Sequence, residues 1–167
     1  MLYIFAGLPG TGKSSLSSRL AGQRGAVYLH IDTIEQSMRR AGIDDIGPKG
    51  YGVAYGVALD NLRLGATVVA DSVNPLDITR RAWRETADLA NSPFVEIEIV
   101  CSDTKEHQAR IESRTTDIAG LKLPTWQDVL CRTYAPWQPA PIVIDTAGRS
   151  IKQSMAEMIE SLRLKGY

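Results

Sequence analysis

Net charge is the first thing this sequence lacks. Its nineteen basic and nineteen acidic residues cancel, so it has no broad positive field for a long nucleic acid or an anionic membrane surface. Cysteine is scarce as well. Cys101 and Cys131 stand alone in a chain of ordinary size, which suits reduced thiols in a cytoplasmic setting more than a disulfide framework. No apolar run approaches the ~20 residues of a membrane-spanning helix. The sequence enters an apolar strand at once, without a basic leader or a cleavage-like site. Internal repeats and low-complexity tracts are also missing. A small anion held in a local pocket is the partner these absences leave open.

What is present is enough apolar material for one core, 44% of 167 residues, and a single domain over 1–167 is expected. Apolar runs rich in β-branched residues recur at 2–6, 26–31, 66–70, 94–100 and 141–144, each followed by room for a helix. Five strands with helical crossovers make a parallel α/β sheet the economical arrangement. Helices are expected over 13–22, 33–41, 50–64, 77–91, 103–114, 125–134 and 150–165. The irregular stretch 115–124, with Gly120 and Pro124, reads as a lid.

The most specific feature follows the first run directly. Gly7-Leu8-Pro9-Gly10-Thr11-Gly12-Lys13-Ser14 matches the phosphate-loop pattern GxxxxGK[ST] in the strand-then-helix context that its mechanics require. Glycines let backbone N–H groups turn inward around a polyphosphate, Lys13 reaches the β and γ phosphates, and the Ser14 hydroxyl ligates Mg²⁺. At average composition the string arises by chance in roughly one chain of this size in two hundred.

Ligands of open parallel sheets bind outside the carboxyl ends of the strands. Asp32, Asp71, Ser102 with Asp103, and Asp145 follow the second to fifth runs. Asp32 has two readings, as a helix N-cap or as a group facing substrate. Thr33 and Gln36 have capping-box spacing and would free it for the second, in which it accepts or orients the proton of an attacking hydroxyl. Asp71 ends an apolar strand, the arrangement that holds Mg²⁺ directly or through water; substrate hydrogen bonding and plain turn chemistry are its other readings. Asn74-Pro75 is expected to cap the next helix.

Arg110 and Arg114 lie four apart just before the lid. Either Glu106 offsets Arg110 on a solvated face, or a bound triphosphate offsets both arginines. Lys122, Arg39 and Arg40 are expected to be solvated, His30 to be a packed strand residue, and Trp126, Tyr134 and Trp137 to pack beneath a loop. Asp145-Thr146-Ala147-Gly148 reproduces the DxxG string of GTP-binding switch proteins. It comes too late in the chain, and no NKxD motif accompanies it. The segment is expected to border a nucleotide base through its backbone.

The loop, Asp32, Asp71-Ser72-Val73-Asn74 and the Arg110–Arg114 pair together give a chain that resembles the P-loop small-molecule kinases. More narrowly, it is similar to the polynucleotide-kinase-like and zeta-toxin-like ATP-binding group. That resemblance implies a P-loop NTPase fold: a doubly wound five-stranded sheet in the order 2-3-1-4-5, with helices on both faces. It implies ATP and Mg²⁺ held by Gly7, Leu8, Pro9, Gly10, Thr11, Gly12, Lys13, Ser14 and Ser15, with Ser14 and Asp71 on the metal side. It implies Lys13, Asp32 and Arg114 as the catalytic set and Arg110 against adenine. One departure bears on the acceptor. Where the 5′-hydroxyl polynucleotide kinases carry a phosphate-gripping arginine three residues after the second-strand aspartate, this chain has Glu35. A small hydroxylated or nucleotide-like acceptor is therefore expected rather than a long nucleic acid. The competing reading is an ATPase or switch driven by a protein partner.

Overall fold

In the computed structural model, which describes residues 1–116 and 118–167, the five apolar runs are strands β1 (Leu2–Ala6), β2 (Val27–His30), β3 (Val68–Asp71), β4 (Phe94–Val100) and β5 (Ile142–Asp145). Position 117, inside the expected lid, lies outside the described residues. Every strand pairing is parallel and the order is β2-β3-β1-β4-β5, as the resemblance implied. Parallel neighbours need crossovers. The helices that accompany them are α1 (Lys13–Arg24), α2 (Ile31–Arg40), α3 (Lys49–Arg63), α4 (Asp77–Leu89), α5 (Thr104–Glu112), α6 (Trp126–Leu130) and α7 (Ile151–Leu164).

Side-chain alternation along β1, buried at every position, divides the core in two. Tyr3 and Phe5 pack with Leu16 and Leu20 of α1 and Met158 and Leu162 of α7. On the opposite face, Leu2 and Ile4 pack with Ala54 and Ala58 of α3 and Trp83 and Ala87 of α4. Helices on both faces leave the carboxyl ends of the strands as the open edge of the sheet.

Four expectations need correction. The capping box at Thr33 and Gln36 is absent: α2 begins at Ile31 directly after β2, Thr33 Oγ1 lies 3.1 Å from His30 Nδ1, and Asp32 occupies the first turn. A carboxylate there complements the helix dipole. Asn74 does not cap α4, whose N-cap is Leu76; Asn74 is fully buried at a left-handed φ of 48°. Its N–H donates to the Tyr51 hydroxyl and its carbonyl accepts from Arg80 Nε. Helix α5 stops at Glu112, so Arg114 lies beyond its C-cap, Ser113. The helix expected over 125–134 stops at Leu130 because the next residues are drawn to Arg80 and Pro75. The buried Arg80 guanidinium donates to the Pro136 carbonyl and stacks 3.7 Å from the Trp137 ring centroid, while the Ala135 N–H donates to the Pro75 carbonyl.

Candidate functional site

The glycine-rich loop connects the end of β1 to the start of α1. Gly7 has φ +143°, and a Cβ there would sit 2.3 Å from the Ile99 carbonyl oxygen of β4. Only glycine lets the backbone pass so close. Gly12, at φ +89°, is the N-cap of α1. Between them the loop carbonyls are tied to the scaffold. The Leu8 carbonyl accepts from Thr11 Oγ1 at 2.9 Å, the Pro9 carbonyl from His107 Nε2 at 2.7 Å, and the Thr11 carbonyl from Thr146 Oγ1 at 2.8 Å. The N–H groups of Gly10, Gly12, Lys13, Ser14 and Ser15 have no hydrogen-bond partner among the described residues. Inward amides at a helix N-terminus, with their carbonyls engaged behind them, form an anion cradle.

The cradle borders a pocket of about 210 Å³ whose other walls are Asp32, Val73, Arg110 and Arg114. Both arginines thus reach it, although they do not share a helix. Arg110 is held on two sides: Glu106 accepts from it at 2.6 Å, and Thr146 accepts at its hydroxyl (2.8 Å) and its carbonyl (2.9 Å). The segment Asp145 to Gly148 is therefore a brace. Its Thr146 carbonyl accepts from Arg110 and its Gly148 N–H donates to Glu106. Asp145 in turn accepts from the N–H groups of Ser102 and Ala147, and Asp103 caps α5.

Lys13 and Asp71 form a buried ion pair beneath the loop. The second oxygen of Asp71 accepts from the Tyr28 hydroxyl at 2.6 Å, and His30 Nε2 lies 3.7 Å away. Burial pushes the Asp71 carboxyl up, but the charges of Lys13 and His30 and the bonds from Lys13 and Tyr28 outweigh it and hold the group at about 2. Ser14 Oγ is 3.5 Å from Lys13 Nζ. The same neighbourhood pushes the Tyr28 hydroxyl strongly up, through burial and the Asp71 charge.

A larger cleft of about 1210 Å³ adjoins this pocket and shares four of its residues, Pro9, Asp32, Val73 and Arg114. Glu35, Arg39 and Lys122 line the cleft, and Arg40 donates to the Ala119 carbonyl at 2.5 Å. Burial, then the nearby Asp32, pushes the Glu35 carboxyl above the usual range against the pull of Arg39 and Arg132. Cys101 and Cys131 are free thiols. Trp126 meets His107 edge-on at 5.2 Å, which places it behind the loop.

His30, Tyr28 and His107 were missed as site residues, and Thr146 was read only as part of a backbone segment bordering a base. His30 carries a recognisable signal, a histidine two residues before a carboxylate at a strand end, and its Nε2 is 3.8 Å from Asp32. Thr146 and His107 act through long-range contacts, for which the sequence has no local mark.

A parallel sheet in this order, with a glycine-rich loop between β1 and α1, is the P-loop NTPase fold in its kinase-like form. The family model AAA_33, described as an AAA domain, matches residues 2–136, and the chain belongs to that family. No curated protein sequence matches it. Among solved structures, the chain is similar to a Chloroflexus aurantiacus protein provisionally assigned as a kinase, at 20% identity and a TM-score of 0.72 over 95% of this chain and 96% of that one. It is similar to a gluconokinase from Sinorhizobium meliloti, at 17% identity and a TM-score of 0.62 over 99% and 97% of the two chains. It also resembles the APS kinase of Mycobacterium tuberculosis in complex with AMPPNP and APS, at 21% identity and a TM-score of 0.58 over 97% and 96%.

Proposed function

We propose that this protein transfers the γ-phosphoryl group of ATP to a hydroxyl of a small-molecule acceptor. The observation that carries the reading is the junction of two cavities. A phosphate-sized pocket under the loop opens into a cleft large enough for a second molecule, and Asp32 and Arg114 stand where the two meet. An ATPase driven by a protein partner has no need of that second cavity.

The donor side suits a nucleoside triphosphate: the cradle's free amides face the polyanion, and Lys13 can exchange Asp71 for phosphate oxygen. Mg²⁺, arriving with the phosphates, would neutralise their oxygens. Ser14 is placed to ligate it, and Asp71, which keeps Tyr28 on one oxygen when Lys13 turns to the phosphates, would hold it directly or through water. Among the described residues no group of three His, Cys, Asp or Glu side chains could hold a metal unaided, which fits a cation bound mainly by its nucleotide. Arg110, fixed by Glu106 and Thr146, lies on the nucleotide side.

In the transfer, the acceptor oxygen forms a bond to the γ phosphorus as the bond from that phosphorus to the β–γ bridging oxygen breaks. The hydroxyl proton passes to Asp32 and ADP leaves. A loose transition state asks chiefly for alignment and charge neutralisation, supplied here by Asp32 on the acceptor and by Lys13 and Arg114 on the phosphoryl oxygens. The test is incubation with γ-labelled ATP, Mg²⁺ and fractionated metabolites. Label in an organic phosphate identifies the acceptor; label found only as inorganic phosphate in every fraction refutes the kinase reading.

A further inference from the structure

We propose that the acceptor is a hydroxylated molecule with an apolar body of about the size of an aromatic ring, rather than an all-polar sugar. This rests on the kinase reading for the place of the hydroxyl. The apolar body is argued independently. Leu76 and Ile78, at the start of α4, line the cleft while remaining 40% and 72% exposed. Pro75 and Ala82 continue that wall, and Tyr51 and Tyr55 of α3 also line the cleft. From the segment before α6, Leu121, Leu123 and Pro124 contribute more apolar lining. Scattered apolar groups on a convex surface need no explanation, whereas apolar side chains lining a cleft are the usual make-up of a small-ligand site.

What covers it is set by the cleft's connection to the phosphate pocket. The occupant must bring a hydroxyl to Asp32 and Arg114, which line both the cleft and the phosphate pocket, and a small molecule can span the two. The volume of about 1210 Å³ exceeds the ~300–1,000 Å³ usual for small-ligand sites. A short polyol would leave most of the wall wet. Small-ligand sites are mostly apolar with a few polar groups that fix orientation. Here Asp32 and Arg114 stand where the hydroxyl reacts, and Glu35, Arg39, Lys122, Asp128 and Arg132 supply further polar groups on the lining beside the apolar wall.

The test uses a matched pair of probes, phenyl β-D-glucopyranoside and methyl β-D-glucopyranoside, at tens of millimolar against the protein with AMPPNP and Mg²⁺. Binding is followed through backbone amide shifts. The phenyl compound is expected to bind at least ~10-fold more tightly, the worth of covering a ring, and to shift amides of Tyr51, Leu76 and Ile78. In the Leu76→Ser/Ile78→Ser variant, whose side chains are exposed enough for the fold to tolerate the change, the preference should fall to about twofold or less. Equal binding of the two probes overturns the proposal, as does failure of both to shift cleft amides or a preference that survives in the variant. Protection of the same amides that rises with protein concentration, without probe, would assign the wall to a second copy and also overturn it. If the phenyl preference holds while γ-label appears only as inorganic phosphate, the kinase reading fails and the apolar ligand site stands.

Discussion

Asp71→Asn tests the buried centre of the site most directly. In the folded protein the Asp71 carboxyl is held at about 2 against an ordinary 3.8, because Lys13 and His30 outweigh the burial that would raise it. That difference is worth about 2 kcal/mol of folding free energy. A carboxyl that is more acidic folded than unfolded contributes fully above about pH 4, and the contribution is lost as pH falls toward 2. The substitution also strands Lys13, which is only 8% exposed. Breaking a buried pair costs about 3–5 kcal/mol when the remaining charge cannot move. Lys13 can swing toward the phosphate pocket, so a loss of about 3 kcal/mol at pH 7 is expected. Urea midpoints of the parent and the variant at pH 7, 5 and 3 give the gap between them, in which other titrating groups cancel. The gap should be nearly constant from pH 7 to 5 and narrower by about 1 kcal/mol at pH 3. A gap that stays flat down to pH 3, or one below about 0.5 kcal/mol at pH 7, refutes the claim that this ion pair stabilises the fold.

Four further substitutions separate scaffold from chemistry. Gly7→Ala places a Cβ 2.3 Å from the Ile99 carbonyl at φ +143°; a loss of about 3 kcal/mol is expected, seen by calorimetry as a fall in Tm of about 6–12 °C. Thr146→Val leaves the Thr11 carbonyl and an Arg110 N–H without their partner; it should cost about 1–3 kcal/mol and raise KM for ATP, and an unchanged Tm would mean that both groups find substitutes. Asp32→Asn should lower kcat by about 10²- to 10⁴-fold with AMPPNP affinity preserved, whereas full turnover would leave Asp32 only its place at the helix dipole. Arg114→Ala should lower kcat by about 10³- to 10⁵-fold with an intact circular dichroism spectrum; a loss under about tenfold would return Arg114 to the role of a solvated cation.

The architecture was legible because the signals that encode it are local. β1 and β4 were read to the residue, β1 as a continuous apolar run ended by the glycine-rich loop and β4 as an apolar run interrupted only by Glu96 and Glu98. All seven helices exist, with ends displaced by several residues where tertiary contacts intervene. The residues after α6 are a case in point, because nothing near Tyr134 says that a buried arginine more than fifty positions earlier will capture this segment. The two misread caps have similar causes. Thr33 could cap α2 only if the helix began after it, but β2 runs straight into α2 at Ile31 and leaves Thr33 within the first turn. Asn74 looked like a cap from Pro75 alone, yet Tyr51 and Arg80 claim its backbone. In both places a sound local preference lost to the start of the neighbouring element or to partners on α3 and α4.

The site divides along the same line. The GxxxxGKS string announces which amides can face a phosphate, but the string does not keep them there. A free loop of this composition would close its own amides onto its own carbonyls. What prevents this is a set of residues outside the motif: Thr146 on the Thr11 carbonyl, His107 on the Pro9 carbonyl, and the Ile99 backbone pressed against Gly7. These come from α5, β4 and the residue just after β5, elements that the sheet order places beside β1 and the loop. A chain of zero net charge can therefore present a strong local anion site. Its positive potential comes from orientation of dipoles and two anchored cations, not from an excess of lysine and arginine. The energetic weight of the cradle thus rests as much on Thr146 and His107 as on the glycines. Loss of either side chain should loosen nucleotide binding without any change in the motif itself.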